Sequence, residues 1–401
     1  MHRSGSELGW PSLVTVSCLV VALGCGDDRG SGQEQADESE TETGEPGEGD
    51  GDGEPGDGDG DGEGDGEGEG DGEGDGDGEG DGDGDGDGDE LPQLRLCGTT
   101  PPPGAQLAPP LPTYGGICPE LETGVTSSIS SSSGNRSFIF VAPTEIGDDE
   151  VLPVMFMFHW LGASANSFYN RAEVQAAADH YRFIAVIPNG RDVNQLVPFK
   201  WPFAVSDLDY LMEQDFDLFD DLLACTAQQY AVDKECVSAM GVSAGAMFTS
   251  MLASRHGQRL SSFISLSGGV GGLVKPWKAG GNVMPAMVLW GGPEDFCIAI
   301  DFDAASKTLE TVLENNGHPV LECIHDCTHA TPPFEAPADQ PELPAFAPSW
   351  EFMFAHPYWL EDGYSPYAQY PELPSPWPDW CAMGAGNAVP RVGECGGSEC
   401  Q

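Results

Sequence analysis

The sequence predicts an α/β protein built on a doubly wound, mostly parallel sheet. Three observations lead there. From about residue 137 onward, short apolar runs alternate with segments of helical periodicity, the order that gives a sheet covered by helices on both faces. Several of those runs, Leu152 to Phe158 above all, are apolar almost throughout, which marks strands buried on both sides. One such run passes into a helix-like stretch through Gly241-Val242-Ser243-Ala244-Gly245, a G-x-S-x-G turn.

The chain opens with a weakly basic start (His2, Arg3) and an apolar run from Leu13 to Leu23 ending in Gly24-Cys25. The run is too short to span a bilayer and reads as an export signal. With a small residue before the cysteine, residues 1–25 resemble a bacterial lipoprotein signal, which implies a lipid on Cys25 and a membrane anchor. A plain secretory signal is the alternative.

Residues 26–93 are a low-complexity stretch in which Gly alternates with Asp or Glu. With hardly an apolar side chain, nothing offsets the entropy of ordering it, so a disordered, acidic tether is expected. The formal net charge of −52 for 401 residues comes largely from here. From Leu91 onward 36 acidic and 13 basic residues still leave about −23, and no basic patch is available for nucleic acid. The Asp-Gly run begins as a calcium loop does, but from Asp57 to Asp89 the acids occupy odd positions, alternating with glycine. The twelfth position of a loop that starts on an acid and ends within this repeat therefore falls on glycine instead of the bidentate glutamate, while one starting at Glu79 reaches Glu90; flanking helices are missing too, and no metal site is expected.

Residues 94–401 have the composition of one globular domain. A Pro-rich segment from Cys97 to Cys118 reads as a stapled strap. Strands are predicted over Ser137 to Val141, Leu152 to Phe158, Phe183 to Ile187, Val237 to Met240, Phe263 to Leu266, Met284 to Trp290 and Val320 to Cys323. Between them, helices are predicted over Arg171 to Tyr181, Glu213 to Tyr230, Met247 to His256 with Gly257 behind it, and Asp303 to Asn316 stopped by Gly317. Beyond Pro332 the chain is rich in Pro and aromatics, from Trp350 to Trp380, and ends in Cys381, Cys395 and Cys400. A last helix packed on the sheet and a stapled tail are expected there, ahead of an aromatic row that grips polymer or carbohydrate.

Chemistry enters at Ser243. Glycines on both sides allow strand and helix to meet without a side chain between them, and the hydroxyl then stands at a helix N-terminus, where an oxyanion is favoured. Such a serine needs a base, and the base needs a carboxylate to hold its tautomer. In this arrangement both follow later in the chain, acid before histidine. Met284 to Trp290 runs into Gly291-Gly292-Pro293-Glu294-Asp295, at the strand end where open α/β sheets place their sites. Val320 to Cys323 leads on to His325 and His329. Asp295 and His329 are expected as acid and base. Glu294 and then Asp301 are the alternatives for the acid, and His325 for the base. The loop after Phe158, His159-Trp160-Leu161-Gly162-Ala163-Ser164, is placed to supply a second oxyanion donor, so that N–H groups of Leu161 and Ala244 converge; Trp160 is the candidate wall of an acyl pocket.

The stretches G-V-S-A-G-A-M, H-W-L-G-A-S-A-N, W-G-G-P-E-D and C-T-H-A-T-P, spanning about Phe138 to Pro332, together resemble the secreted α/β-hydrolase esterases of the polyhydroxybutyrate depolymerase and feruloyl esterase type. The resemblance implies Ser243 as nucleophile, Asp295 as acid, His329 as base, Leu161 and Ala244 as oxyanion donors, no cofactor, and a polymeric or carbohydrate-linked ester as substrate. The family pattern has His-Gly where this chain has His159-Trp160.

Twelve cysteines include Cys18 in the signal and Cys25; the remaining ten, in an exported protein, suggest disulfides. The spacing of Cys323 and Cys327 lacks a histidine pair at zinc distance. Cys225 with Cys236, flanking a short connection, and Cys297 with Cys323 or Cys327 are the expected pairs. Three functions compete: a lipid-anchored serine esterase acting as a monomer, a serine peptidase of the same fold, and a surface protein with a degenerate hydrolase domain. The last expects a damaged serine turn or histidine, and both are intact. The peptidase often carries an accessory domain, for which this chain leaves no length.

Overall fold

The structure, a computed structural model, describes residues 94–191, 199–334, 336 and 340–395. All belong to the second of the two units into which the chain divides, Asp85–Gln401. The export signal with Cys25, the acidic tether and Cys400 lie outside the described residues.

The strands are β1 (Thr126–Ser131), β2 (Gly134–Val141), β3 (Leu152–Phe158), β4 (Ile184–Pro188), β5 (Val232–Val242), β6 (Ser262–Leu266), β7 (Ala286–Trp290), β8 (Phe296–Cys297), β9 (Ile300–Asp301), β10 (Val320–Ile324) and β11 (Cys381–Met383). Among the described residues six α-helices join them: α1 (Ala165–Arg171), α2 (Val174–Tyr181), α3 (Asp209–Gln229), α4 (Ala244–His256), α5 (Phe302–Asn315) and α6 (Ala347–Ala355). Nine strands form one sheet in the order β1-β2-β4-β3-β5-β6-β7-β10-β11. The run from β4 to β10 is parallel, while β1, β2 and β11 pair antiparallel at the two edges. β8 and β9 make a separate hairpin.

Continuous apolar sequence produces this sheet because its middle is covered twice. β3, β4, β6, β7 and β10 are buried at every position. Along β3, Val154, Phe156 and Phe158 enter the core with Phe216, Phe219 and Leu223 of α3, Phe248 of α4 and Leu309 of α5. Met155 and Met157 face the opposite core, with Phe168 of α1, Ala177 and Tyr181 of α2, and Trp350 and Phe354 of α6. Side chains alternate across a strand, so each strand serves both cores. Burial of one such large apolar side chain contributes about 1.5–3 kcal/mol. The last helix therefore packs on the sheet as its composition suggests.

Several boundaries differ from the sequence reading. The helix expected over Arg171 to Tyr181 is two helices. α1 begins earlier, where the Ser164 side chain accepts from the Ser167 N–H in a reciprocal capping box. The break falls at Glu173, whose φ of 47° takes the chain out of helical geometry. β1 escapes the sequence reading, because Thr-Ser-Ser-Ile-Ser-Ser has a single buried residue, Ile129, as an edge strand with one wet face can. β7 starts at Ala286, just after Pro285, and α3 starts at Asp209, a turn earlier than Glu213.

The disulfide pairing departs from expectation altogether. Cys225 bonds Cys118 and Cys236 bonds Cys97, so both ends of the Pro-rich strap are riveted to the domain. Cys323 bonds Cys381, and Cys327 bonds Cys395. Cys297 is also disulfide-bonded, but not to Cys323 or Cys327, whose sulfurs are committed elsewhere. Cys225 and Cys236 are close in sequence, yet β5 carries Cys236 into the middle of the sheet while Cys225 stays on α3, facing the strap.

Candidate active site

β5 ends at Val242 and α4 begins at Ala244, leaving Ser243 alone in the turn, with φ 54° and ψ −117°. A residue other than glycine holds such a conformation only when its surroundings over-determine it. Here the Ser243 N–H donates to the Leu266 carbonyl at 2.9 Å, and the Ser243 carbonyl accepts from the Met247 N–H at 3.0 Å. A Cβ on Gly241 would stand 2.3 Å from the Gly245 carbonyl oxygen. No other residue fits there while the strand turns this sharply into the helix.

Asp295 and His329 approach from two neighbouring strand ends. Asp295 lies in the loop after β7, fully buried; its Oδ2 accepts from the Gly291 N–H and the Ser267 hydroxyl, both at 2.8 Å. Its Oδ1 accepts from His329 Nδ1 at 2.7 Å, and His329 Nε2 lies 3.0 Å from Ser243 Oγ. With a carboxylate on Nδ1, that nitrogen carries the proton and Nε2 faces the serine as acceptor. The His329 loop is held to the Asp295 loop by the backbone, the Thr328 N–H donating to the Gly291 carbonyl at 2.9 Å. Phe302, at the start of α5, lies flat against the imidazole, 4.3 Å between centroids and 25° between planes.

The alternatives are placed elsewhere. Glu294 is exposed. The Asp301 side chain caps α5 through the Ala304 N–H at 2.9 Å. His325 is fully buried behind the site, with neither ring nitrogen hydrogen-bonded, and burial pushes its pKa down to about 4. An uncharged histidine with no partner cannot relay a proton from Ser243.

The loop after β3 is fixed by His159. Its Nε2 accepts from the Gly190 N–H at 3.0 Å, which leaves Nδ1 to donate to the Trp160 carbonyl at 2.9 Å. Burial pushes the pKa of this ring down to about 4, so it is neutral and keeps both bonds. Trp201 Nε1 donates to the His159 carbonyl at 2.9 Å, and Asn189 Oδ1 accepts from the Ala165 N–H at 2.8 Å as α1 begins. Leu161, between these anchors, lines the same cavity as Ser243. Ala244 is the first residue of α4, where backbone N–H groups have no intrahelical acceptor.

That cavity holds about 270 Å³. Trp160, Leu161, Phe168, Val242, Leu266 and Phe346 give it a mainly apolar wall, and Arg171, Ser243, Ser267, His329 and Thr331 are its polar lining. At its edge Arg171 donates to the Thr331 hydroxyl. Of the eight non-glycine residues with positive φ among the described residues, Ser243, Ser267, Ile298 and Phe346 line this cavity, and Asp326 and Thr328 lie in the His329 loop. Backbone strain of this kind collects at functional sites. Among the described residues no cluster of His, Cys, Asp or Glu could hold a metal ion. Sequence reasoning missed Ser267 and Phe302. Their only signal is position, Ser267 just past a predicted strand and Phe302 just before a predicted helix.

No family model matches the chain, and no curated protein matches it. Solved structures do. pOPH in complex with DMSO aligns with a TM-score of 0.52 at 14% identity, over 70% of this chain and 98% of that one. Native sOPH aligns at 0.52 and 15%, over 68% and 97%, and pOPH with pNPB at 0.51 and 15%, over 69% and 97%. At this identity the likeness is one of fold, and the described chain has the mostly parallel, helix-covered sheet of α/β-hydrolases.

Proposed function

We propose that the protein is a serine carboxylic-ester hydrolase working through an acyl-enzyme. One observation carries this reading: the hydrogen-bonded chain from Ser243 Oγ through His329 to buried Asp295, opening on a mainly apolar cavity. His329 Nε2 takes the hydroxyl proton as Ser243 Oγ attacks the ester carbonyl. The tetrahedral intermediate places its oxyanion at the N–H groups of Leu161 and Ala244. On collapse the carbonyl re-forms, the alcohol leaves with the proton from His329, and the acyl group stays on Ser243. Water then repeats the sequence with the acyl-enzyme and releases the acid. Asp295 keeps its charge throughout and holds the imidazolium.

The apolar wall suits the acyl part of an ester, polymeric or carbohydrate-linked, and no cofactor is called for by this mechanism. The disulfides belong to an oxidising compartment, which supports export. Anchoring by a lipid on Cys25, and action as a monomer at the membrane, rest on the sequence. The test is labelling by a fluorophosphonate probe together with hydrolysis of p-nitrophenyl butyrate. Wild-type protein is expected to be labelled and active, and Ser243→Ala to be folded, unlabelled and inactive. Turnover by Ser243→Ala at the wild-type rate would overturn the reading.

A further inference from the structure

Ser267 follows β6 immediately and touches both the carboxylate and the cavity. Its hydroxyl donates to Asp295 Oδ2 at 2.8 Å, and the residue lines the space shared by Ser243 and His329 while staying buried. Its backbone stands at φ 46°, a conformation that glycine adopts freely and a serine does not. The backbone is set without the side chain, since the Ser267 N–H donates to the Leu289 carbonyl at 2.6 Å. A serine therefore occupies a place where the main chain favours glycine, and the bond to Asp295 is what its hydroxyl adds.

That bond matters because of how Asp295 is held. One oxygen is engaged by His329 and the other by the Gly291 N–H and Ser267. The carboxylate is fully buried, and with Gly291 alone the group is freer to rotate about its Cβ–Cγ bond. The histidines near it are His329, on its other oxygen, and neutral His325 behind the site. Resting on the reading of Ser243, His329 and Asp295 as the catalytic chain, we propose that Ser267 is a positioning residue, fixing the Asp295 carboxylate in the plane that orients His329 toward Ser243.

The experiment compares wild type, Ser267→Gly, Ser267→Ala and Ser243→Ala on p-nitrophenyl butyrate, with thermal melting of each. Ser267→Gly removes the hydroxyl and the strain together. It is expected to melt no lower than wild type, to lose about tenfold or more in kcat, the worth of a hydrogen bond to a charged group, and to change KM less than twofold. The acid limb of its pH–rate profile should move upward, because a carboxylate that loses a donor is a stronger base and holds the imidazolium proton more tightly. Ser267→Ala should lose kcat similarly. Wild-type kcat and pH profile in Ser267→Gly, with Ser243→Ala inactive, would overturn the positioning role alone. A loss of activity that follows a lower melting temperature with an unmoved pH profile would do the same, by showing a structural role. An active Ser243→Ala would instead bring down the reading on which the proposal rests.

Discussion

A Cβ on Gly291 would stand 1.7 Å from the carbonyl oxygen of Thr328. The loop carrying Asp295 and the loop carrying His329 are thus in backbone contact, and the distance between the two side chains is set by main-chain atoms. Gly291→Ala must separate the loops, and a misplacement near 1 Å costs on the order of a hundredfold in rate. The expected outcome is a folded protein with kcat on p-nitrophenyl butyrate down by about that factor; circular dichroism and steady-state kinetics check it.

Asp295→Asn should cost far more than Glu294→Gln. The first leaves a neutral amide beside the imidazolium and favours the wrong tautomer, a change worth about ten-thousandfold in kcat in comparable sites. Glu294 is exposed and outside the hydrogen-bonded chain, so its variant should stay within about twofold of wild type. Kinetics of the two variants that ranked in the reverse order would reassign the acid.

Stability should peak near neutral pH. His159 and His325 are pushed down from 6.5 to about 4, and His356 to about 3, each mainly by burial. The unfolded chain binds protons on these rings first, so their contribution is whole above pH 6.5 and is lost as pH falls toward 4 and 3, by about 1.4 kcal/mol per pH unit per ring. Glu310 is pushed the other way, from 4.5 up to about 9, by burial first and then by Glu322 and Glu314. The folded state keeps its proton longer, so its contribution is whole below pH 4.5 and is lost as pH rises toward 9. Melting temperatures from pH 4 to 9 should show both slopes, and Glu310→Gln should flatten the alkaline one.

A chain beginning at Leu91 should be soluble and keep full activity on small esters, because the composition changes abruptly there. Cys25→Ala in the full-length chain should move the protein from the membrane fraction to the soluble one. Activity assays and fractionation read the two outcomes. Small-ester activity lost on truncation would give the tether a part in the site, and membrane retention of Cys25→Ala would put the anchor elsewhere.

How far the sequence can be read depends on what burial writes into it. Strands covered on both faces must be apolar at every position, so β3, β4, β6, β7 and β10 stand out as continuous runs. β1 has one wet face and a short side-chain alphabet, and it does not. Ser243, Asp295 and His329 are legible because each follows a recognisable strand, and the structure brings all three into hydrogen-bond contact. Ser267 follows a strand as well, but no motif surrounds it, and its bond to Asp295 depends on two strands lying side by side. The cysteine pairs fail for a related reason. Proximity in sequence says little when a sheet carries one of two neighbouring cysteines away from the other.

The two rivets of the Pro-rich strap also constrain how the protein is made. Cys97 and Cys118 bond Cys236 and Cys225, partners 139 and 107 residues further on. In the exported chain proposed above, emergence N-terminus first exposes Cys97 and Cys118 together, long before either partner appears. Oxidation in order of appearance would therefore join these two to each other, a mispairing that the native nested arrangement must undo. On that order of emergence, a producing host unable to reshuffle disulfides is expected to accumulate protein with the strap closed on itself.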